Sequence, residues 1–329
     1  MSQSHQTKSF LDLVNECDNF PLPQNDINAY AEKVHSYYHF KVASNSATFG
    51  FVLPFVATEL AKFQGWEVDE NTTPKTLTLS GGDDESSRSA HVAETLRQLR
   101  QNKTFDVLDK WRDECMSVFS PTGELLFSIE RSAFPLLGVV AYGIRMVAYT
   151  RLESGDMKLW ISRRSNKVTA YPGFLDGTVA GAILTGESSY ESMIRKTCYK
   201  ASLPEDLVRQ RWNACGTLSY FHIRNGEAGG EVGLLHPSFY FLFDLELPQD
   251  VEPKPGDDEV QRFSLLDVET VKVALLAGQF EPSFALVMLD FFIRHGIINA
   301  MNEPDSTEIF ARLHRAIELP TCGPMFSSH

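Results

Sequence analysis

The sequence predicts an α/β fold, a sandwich of helices on a mixed sheet preceded by a smaller α+β domain, and three observations predict it. Residues 137–149 and 238–247 are long runs rich in β-branched and aromatic side chains, the composition of buried strands. Residues 157–164 follow the turn Gly155-Asp156 and pair antiparallel with the first run. Residues 188–203 repeat their less polar side chains every three or four positions, so a helix lays one stripe on a core. Strand, helix, strand, strand in this order suits a layered sheet. The division expected is an accessory domain over 1–132, the sandwich over 133–305, and an extension over 306–329. The tail after Pro320 has no element signal and is expected to be disordered.

In chain order, Leu11, Leu13, Val14, Cys17 and Phe20 suggest a short amphipathic helix before Pro21, and residues 28–38 are helix or connector. Short strands are expected from Phe40, a helix over 55–63, and a polar stretch over 66–88 in which Gly81-Gly82-Asp83-Asp84-Glu85-Ser86-Ser87 is loop. A helix follows over 90–101, and residues 116–127 read as two strands about Pro121 and Gly123. Residues 171–177 are a turn, and 178–181 a strand that feeds the helix beginning at Ser188. Ser188 with Glu191, and Ser202 with Glu205, have capping-box spacing, so a second helix should start as Pro204 ends the first. Residues 215–224 form a strand, 225–233 a glycine-rich connector and 253–260 a loop. A helix capped by Asp267 stops at Gly278, and one over 283–294 turns Phe284, Val287, Met288, Phe291 and Phe292 inward.

At 329 residues and 43% hydrophobic content, the chain can bury a core in each of two domains. A net charge of −13 without any Lys/Arg run argues against a nucleic-acid partner. The five cysteines are irregularly spaced with no C-x-x-C pair, which argues for reduced thiols and against structural zinc. No apolar run approaches ~18 residues. Met1 to Phe10 has neither a secretory core nor the arginines of a transit segment, so the cytoplasm is expected, with no membrane partner. Neither a G-x-S-x-G elbow nor a G-x-x-x-x-G-K-[ST] loop is present.

Positions 196, 199 and 200 stand at i, i+3 and i+4 and should share a helix face, which places Lys196, Tyr199 and Lys200 together. Residues 159–165, Tyr171-Pro172-Gly173-Phe174-Leu175-Asp176, Leu218-Ser219-Tyr220-Phe221, residues 254–260 and Arg294-His295-Gly296-Ile297-Ile298 resemble the thiamine-pyrophosphokinase-related Nudix hydrolases. That family carries an accessory domain before a Nudix domain, and the resemblance covers nearly the whole chain. It implies a Nudix-type α/β/α sandwich and maps Gly181, Glu187 and Arg195 onto the Nudix box G-x5-E-x7-R-E-x-x-E-E. Lys196, Tyr199 and Lys200 stand where the family has glutamates. The resemblance implies Mg²⁺-dependent hydrolysis of thiamine diphosphate analogues, in which those glutamates gather the hard cation. Two ammonium groups repel it instead. Ala182, Gly177 and Arg145 also depart from the family's usual glycine, asparagine and histidine.

The catalytic candidates are therefore Lys196, Tyr199, Lys200 and Glu187. The ligand-binding candidates are Arg163, Phe174, Asp176, Arg195, Tyr220, Phe221, Tyr240, Asp258 and Glu259. Tyr199 is an acid or base if its lysine neighbours lower its pKa. Glu187 has a competing structural role as partner of Arg195, and core packing accounts for about half of the aromatic residues without a ligand. The expected function is a small-molecule protein that has lost metal-dependent diphosphate hydrolysis and performs an isomerisation, cyclisation or elimination. Its partner is an aromatic or anionic small molecule, with no cofactor and no metal. One alternative is a residual Mg²⁺-dependent hydrolase using Glu187 with Asp257, Asp258 and Glu259. The other is a ligand-binding protein without catalysis.

Overall fold

The computed structural model describes residues 8–43 and 45–323. The end of the tail expected to be disordered, and most of the segment read for targeting, lie outside the described residues. The chain runs through α1 (Phe10–Cys17), α2 (Ile27–His35), β1 (Tyr38–Val42), β2 (Gly50–Val52), α3 (Pro54–Leu60), β3 (Trp66–Asp69), β4 (Thr76–Leu79) and α4 (Glu85–Gln101) to the hairpin β5 (Cys115–Phe119) and β6 (Leu125–Glu130). The first four strands form a sheet of order β2-β1-β4-β3 in which β1 and β4 are parallel. β3 and β4 lie in the stretch read only as polar, and α4 begins at Glu85, inside the loop expected over 81–87, because Asp84 caps it. The strands' inward residues are few, chiefly Trp66, Leu77 and Leu79, and too short a pattern to stand out among the polar ones.

The second half holds α5 (Phe134–Leu137), β7 (Ala141–Arg151), β8 (Met157–Arg164), β9 (Leu175–Asp176), β10 (Val179–Ala182), α6 (Ser189–Ala201), α7 (Glu205–Arg211), β11 (Trp212–Ile223), β12 (Leu235–Glu246), β13 (Val260–Asp267), α8 (Val268–Leu276), α9 (Pro282–Arg294) and α10 (Ser306–Leu313). Its sheet has the order β11-β12-β7-β8-β13, with β10 on β7 and β9 on β8. Among the described residues only β12 and β7 of this sheet's strands run parallel, so the sheet is mixed as expected. Alternation along β7 builds two layers: Ile144, Met146 and Ala148 pack with Met193 and Ile194 of α6, while Val147 and Tyr149 pack with α1 and α9.

Several local expectations change. Gly138 takes a left-handed φ of 58° and closes α5, so the strand expected from residue 137 starts at Ala141. Ser202 does not cap α7; it holds φ 51° and ends α6, and α7 starts at Glu205, after Pro204, without a side-chain cap. Ser188 does cap α6 by accepting from the Glu191 amide, but the Glu191 carboxylate turns to Arg209 rather than back to the cap. The end of the 253–260 loop opens into β13, whose antiparallel pairing with β8 was not legible. α1 packs on α8, α9 and α10, far along the chain from its neighbours in sequence. The buried Asp18 fixes this arrangement, taking ion pairs from Arg312 at 2.8 Å and Arg315 at 3.0 Å and a hydrogen bond from the Phe221 amide at 2.9 Å.

Candidate ligand-binding site

A cavity of about 370 Å³ opens where the N-terminal half meets the second sheet. Three strands furnish its polar wall. On β11 and just beyond it, Tyr220, His222 and Arg224 recur at every second position and turn to the α1/α9 side, while Phe221 turns the other way and stacks on Phe20 at 4.2 Å. On β12, His236 and Tyr240 face the cavity, and on β7 Arg145 does. Tyr220 and Tyr240 share a hydroxyl–hydroxyl hydrogen bond of 2.9 Å. The Arg145 guanidinium lies over the Tyr240 ring at 3.6 Å from its centroid.

The other walls come from loops. Arg164 donates to the carbonyls of Ala170 and Tyr171 and pairs with the buried Asp176 at 2.6 Å, which holds the loop after β8 in place. Tyr171 sits in that loop with a left-handed φ of 49°, a conformation costly for an aromatic residue. Arg224 donates to the carbonyls of Ala228 and Gly229, and Glu231 accepts from the Val107 amide, so the glycine-rich connector closes against the N-terminal half. Gly177 also lines the cavity, and a side chain there would collide with the Phe284 ring.

Charge and protonation are set by burial. His222 Nδ1 lies 2.9 Å from the Cys17 carbonyl, which can only accept, so Nδ1 carries the proton and Nε2 keeps its lone pair. Burial lowers the pKa of His222. Burial, and then the charge of Arg224, push His236 down to about 3. Both imidazoles are neutral at pH 7. Burial raises the phenol of Tyr171 and that of Tyr220.

Of the sequence candidates, Asp176, Lys200, Tyr220, Tyr240 and Glu259 line this cavity together. Lys200 is already engaged, 2.6 Å from Glu259 and 3.6 Å from Asp257, and Glu259 also accepts from Arg112 at 2.7 Å. Burial pushes the Glu259 carboxyl up, but Lys200 and Arg112 outweigh it and hold the group at about 2. Lys196, Tyr199 and Lys200 do not share one environment, because three such positions span about a quarter-turn of helix. Lys196 is 4% exposed, whereas Tyr199 is 60% exposed and outside the cavity. The Lys196 chain lies across Gly181, where any side chain would collide with its Cδ, and its amine does not itself line the cavity. Among the described residues the amine has no hydrogen bond or ion pair. Burial, then the charges of Arg195 and Arg131, bring its pKa down to about 8.

Glu187 accepts from the Leu184 amide and pairs with Arg195 at 2.5 Å, bracing the loop before α6. Arg163 donates to the Gly173 carbonyl, Phe174 packs edge-on against Tyr171, and Asp258 is exposed. None of these, nor Phe221, reaches the cavity lining. The candidate set lacked Arg164, His222, Arg224, His236 and Glu281. The alternation Tyr220-Phe221-His222-Ile223-Arg224 would have found three cavity residues and excluded Phe221.

This mixed sheet, with the glycine–glutamate–arginine frame before and on α6, belongs to a chain related to the Nudix hydrolases. The particular relatives are these. The chain is 36% identical over 188 residues to Nudix hydrolase 24, chloroplastic, of Arabidopsis thaliana, covering 57% of this chain and 49% of that one. It is 26% identical over 324 residues to the Uncharacterized protein YJR142W of Saccharomyces cerevisiae, covering 95% of this chain and 92% of that one. It therefore spans most of the yeast protein but about half the length of the Arabidopsis one. A family model described as Domain of unknown function (DUF4743) matches residues 9–141. Among solved structures, DR0079 from Deinococcus radiodurans aligns at a TM-score of 0.38 and 19% identity, over 61% of this chain and 100% of that one. Among the described residues, no helix is long and apolar enough to cross a membrane.

Proposed function

We propose that this protein binds a small anionic organic molecule in the cavity and does not hydrolyse diphosphates with a divalent metal. The observation that carries the reading is electrostatic. The chain has a net charge of −13, yet the cavity is lined by seven Lys or Arg side chains against four Asp or Glu. A positive enclosure in an acidic protein draws in small anions and repels metal cations. A thermal-shift screen of matched anionic, neutral and cationic compounds tests it. Stabilisation confined to anions is expected; equal stabilisation by their neutral counterparts contradicts it.

The residues do not fit the Mg²⁺ that the family resemblance implies. Hard cations need several free oxygen ligands. The box positions offer Lys196 and Lys200, Glu187 is neutralised by Arg195, and Glu259 and Asp257 are held by Lys200. Among the described residues no group of three His, Cys, Asp or Glu side chains is placed to hold a metal ion. A residual Mg²⁺-dependent hydrolase of thiamine diphosphate-like compounds would have to break these ion pairs first. It predicts phosphate release that stops with chelator.

One observation favours catalysis of a different kind. The Lys196 amine, with its pKa at about 8, is partly neutral near neutral pH; it lies behind Gly181 and outside the cavity lining, so it serves as a base for an isomerisation, cyclisation or elimination only where a ligand reaches past that wall. Turnover that disappears in Lys196→Met while anion binding persists would establish this second reading. Binding without product under any condition leaves a ligand-binding protein.

A further inference from the structure

One stretch of the cavity wall, built by β7, β11 and β12, holds hydrogen-bond donors without acceptors. Tyr220 and Tyr240 are buried there and bring two hydroxyl protons, of which their mutual bond of 2.9 Å uses one. Among the described residues nothing accepts the other. Burial raises the Tyr220 phenol, so it stays protonated at neutral pH. The Tyr240 ring also carries the Arg145 guanidinium, 3.6 Å from its centroid, a contact that fixes where the cation lies. Arg145 gives Nη1 to the Ile144 carbonyl at 3.0 Å, but the edge made by Nε and Nη2 holds only the Ser283 hydroxyl at 3.4 Å, and Nε is buried without a partner.

That edge is the one whose two parallel N–H groups match a carboxylate. The nearby acids are engaged elsewhere: Asp176 pairs with Arg164, and Glu281 accepts from the Ser283 hydroxyl and the Phe284 amide to cap α9. Arg224 spends its donors on the Ala228 and Gly229 carbonyls and takes no part. Because the guanidinium lies over the ring that bears one of the paired hydroxyls, a single planar group can reach both. We propose that Arg145 and the Tyr220–Tyr240 hydroxyl pair hold the carboxylate of a small organic acid, one oxygen on the Nε–Nη2 edge and the other accepting the phenol proton that the pair leaves free. Charge decides for a carboxylate over a phosphate. One guanidinium and one neutral donor match a monoanion, whereas a dianion would leave a charge uncompensated away from water. The subsite rests on the anion-binding reading above and narrows it to a carboxylic acid.

The probes are benzoate, phenyl phosphate and neutral benzamide, titrated into the full chain by calorimetry. The expected result is saturable benzoate binding, tighter than that of phenyl phosphate and absent for benzamide. Arg145→Met should weaken benzoate by about ten-fold or more, the loss of a charged hydrogen-bond pair. Arg145→Lys keeps the charge without the fork and should restore part of the affinity, which guards against a misfolded methionine variant. Tyr220→Phe combined with Tyr240→Phe removes both partners of one bond and keeps their shape, so the melting temperature should hardly move while benzoate weakens about ten-fold. Lys62→Gln, which removes an exposed cation outside the cavity lining, should leave binding unchanged. Unchanged benzoate affinity in either the Arg145→Met or the double phenylalanine variant overturns the subsite while leaving an anion-binding cavity. Tighter binding of phenyl phosphate than of benzoate overturns the carboxylate assignment. No saturable binding of either anion to wild-type protein overturns the subsite and the cavity reading together.

Discussion

The Lys200 ammonium lies 2.6 Å from the Glu259 carboxylate, joining α6 to the acidic loop before β13. Because Arg112 reaches the same carboxylate at 2.7 Å, the pair also ties the N-terminal half to the sheet.

Glu259 therefore makes stability depend on acid. Its folded pKa of about 2 lies below the ordinary value of 4.5, so the contribution is complete above pH 4.5 and is lost as pH falls from there towards 2. Glu259→Gln should flatten that part of the acid-unfolding curve. Lys200→Ala should cost about 1–3 kcal/mol in urea unfolding at pH 7, since it leaves a half-buried carboxylate with one partner fewer.

Lys196 likewise makes stability rise with pH, but at neutral pH it is a cost where Glu259 is a gain. Its pKa of about 8 lies below the ordinary 10.5, so the folded state releases a proton that the unfolded chain keeps between those values. Stability from this group rises with pH from 8 to 10.5, and below 8 the buried charge is a standing cost. Lys196→Met should raise stability at pH 7 by about 1–2 kcal/mol and remove the alkaline rise, read by thermal melts at pH 7 and 10.

Gly181 is a glycine because Lys196 lies across it. Gly181→Ala should destabilise by about 1–3 kcal/mol through overpacking. The double variant with Lys196→Ala should recover most of that loss, a coupling that independent sites would not give.

Asp18 is buried between Arg312 and Arg315 and binds the Phe221 amide. Asp18→Asn removes the buried carboxylate that Arg312 and Arg315 share, leaving them Glu308 at 3.9 Å and Glu318 at 2.9 Å, and should cost about 3 kcal/mol by urea unfolding. A change of under about 1 kcal/mol would show that the N-terminal helix is not anchored there.

Long elements with one strong period were legible in the sequence. The box helix, β8 and α9 fall within a residue or two of their expected bounds, because their apolar residues recur often enough to fix a face. The edge strands β3 and β13 were not: β3 has four residues, too few to show a period, and β13 is decided by pairing with β8, far along the chain. The site divides in the same way. Tyr220 and Tyr240 announced themselves as aromatic residues in strands, whereas Arg145 and Arg224 become informative only once their lack of a carboxylate is seen. Lys196 was placed on the right helix but in the wrong surroundings: helix spacing sets its direction relative to Tyr199, and the missing side chain of Gly181 sets its burial.

The most direct measurement is a calorimetric titration of Mg²⁺ into the metal-free protein, with and without thiamine diphosphate. The account predicts no saturable uptake and no phosphate release, because the box lysines repel the ion and the nearby carboxylates are already paired. One Mg²⁺ bound per chain, with chelator-sensitive hydrolysis, would contradict it.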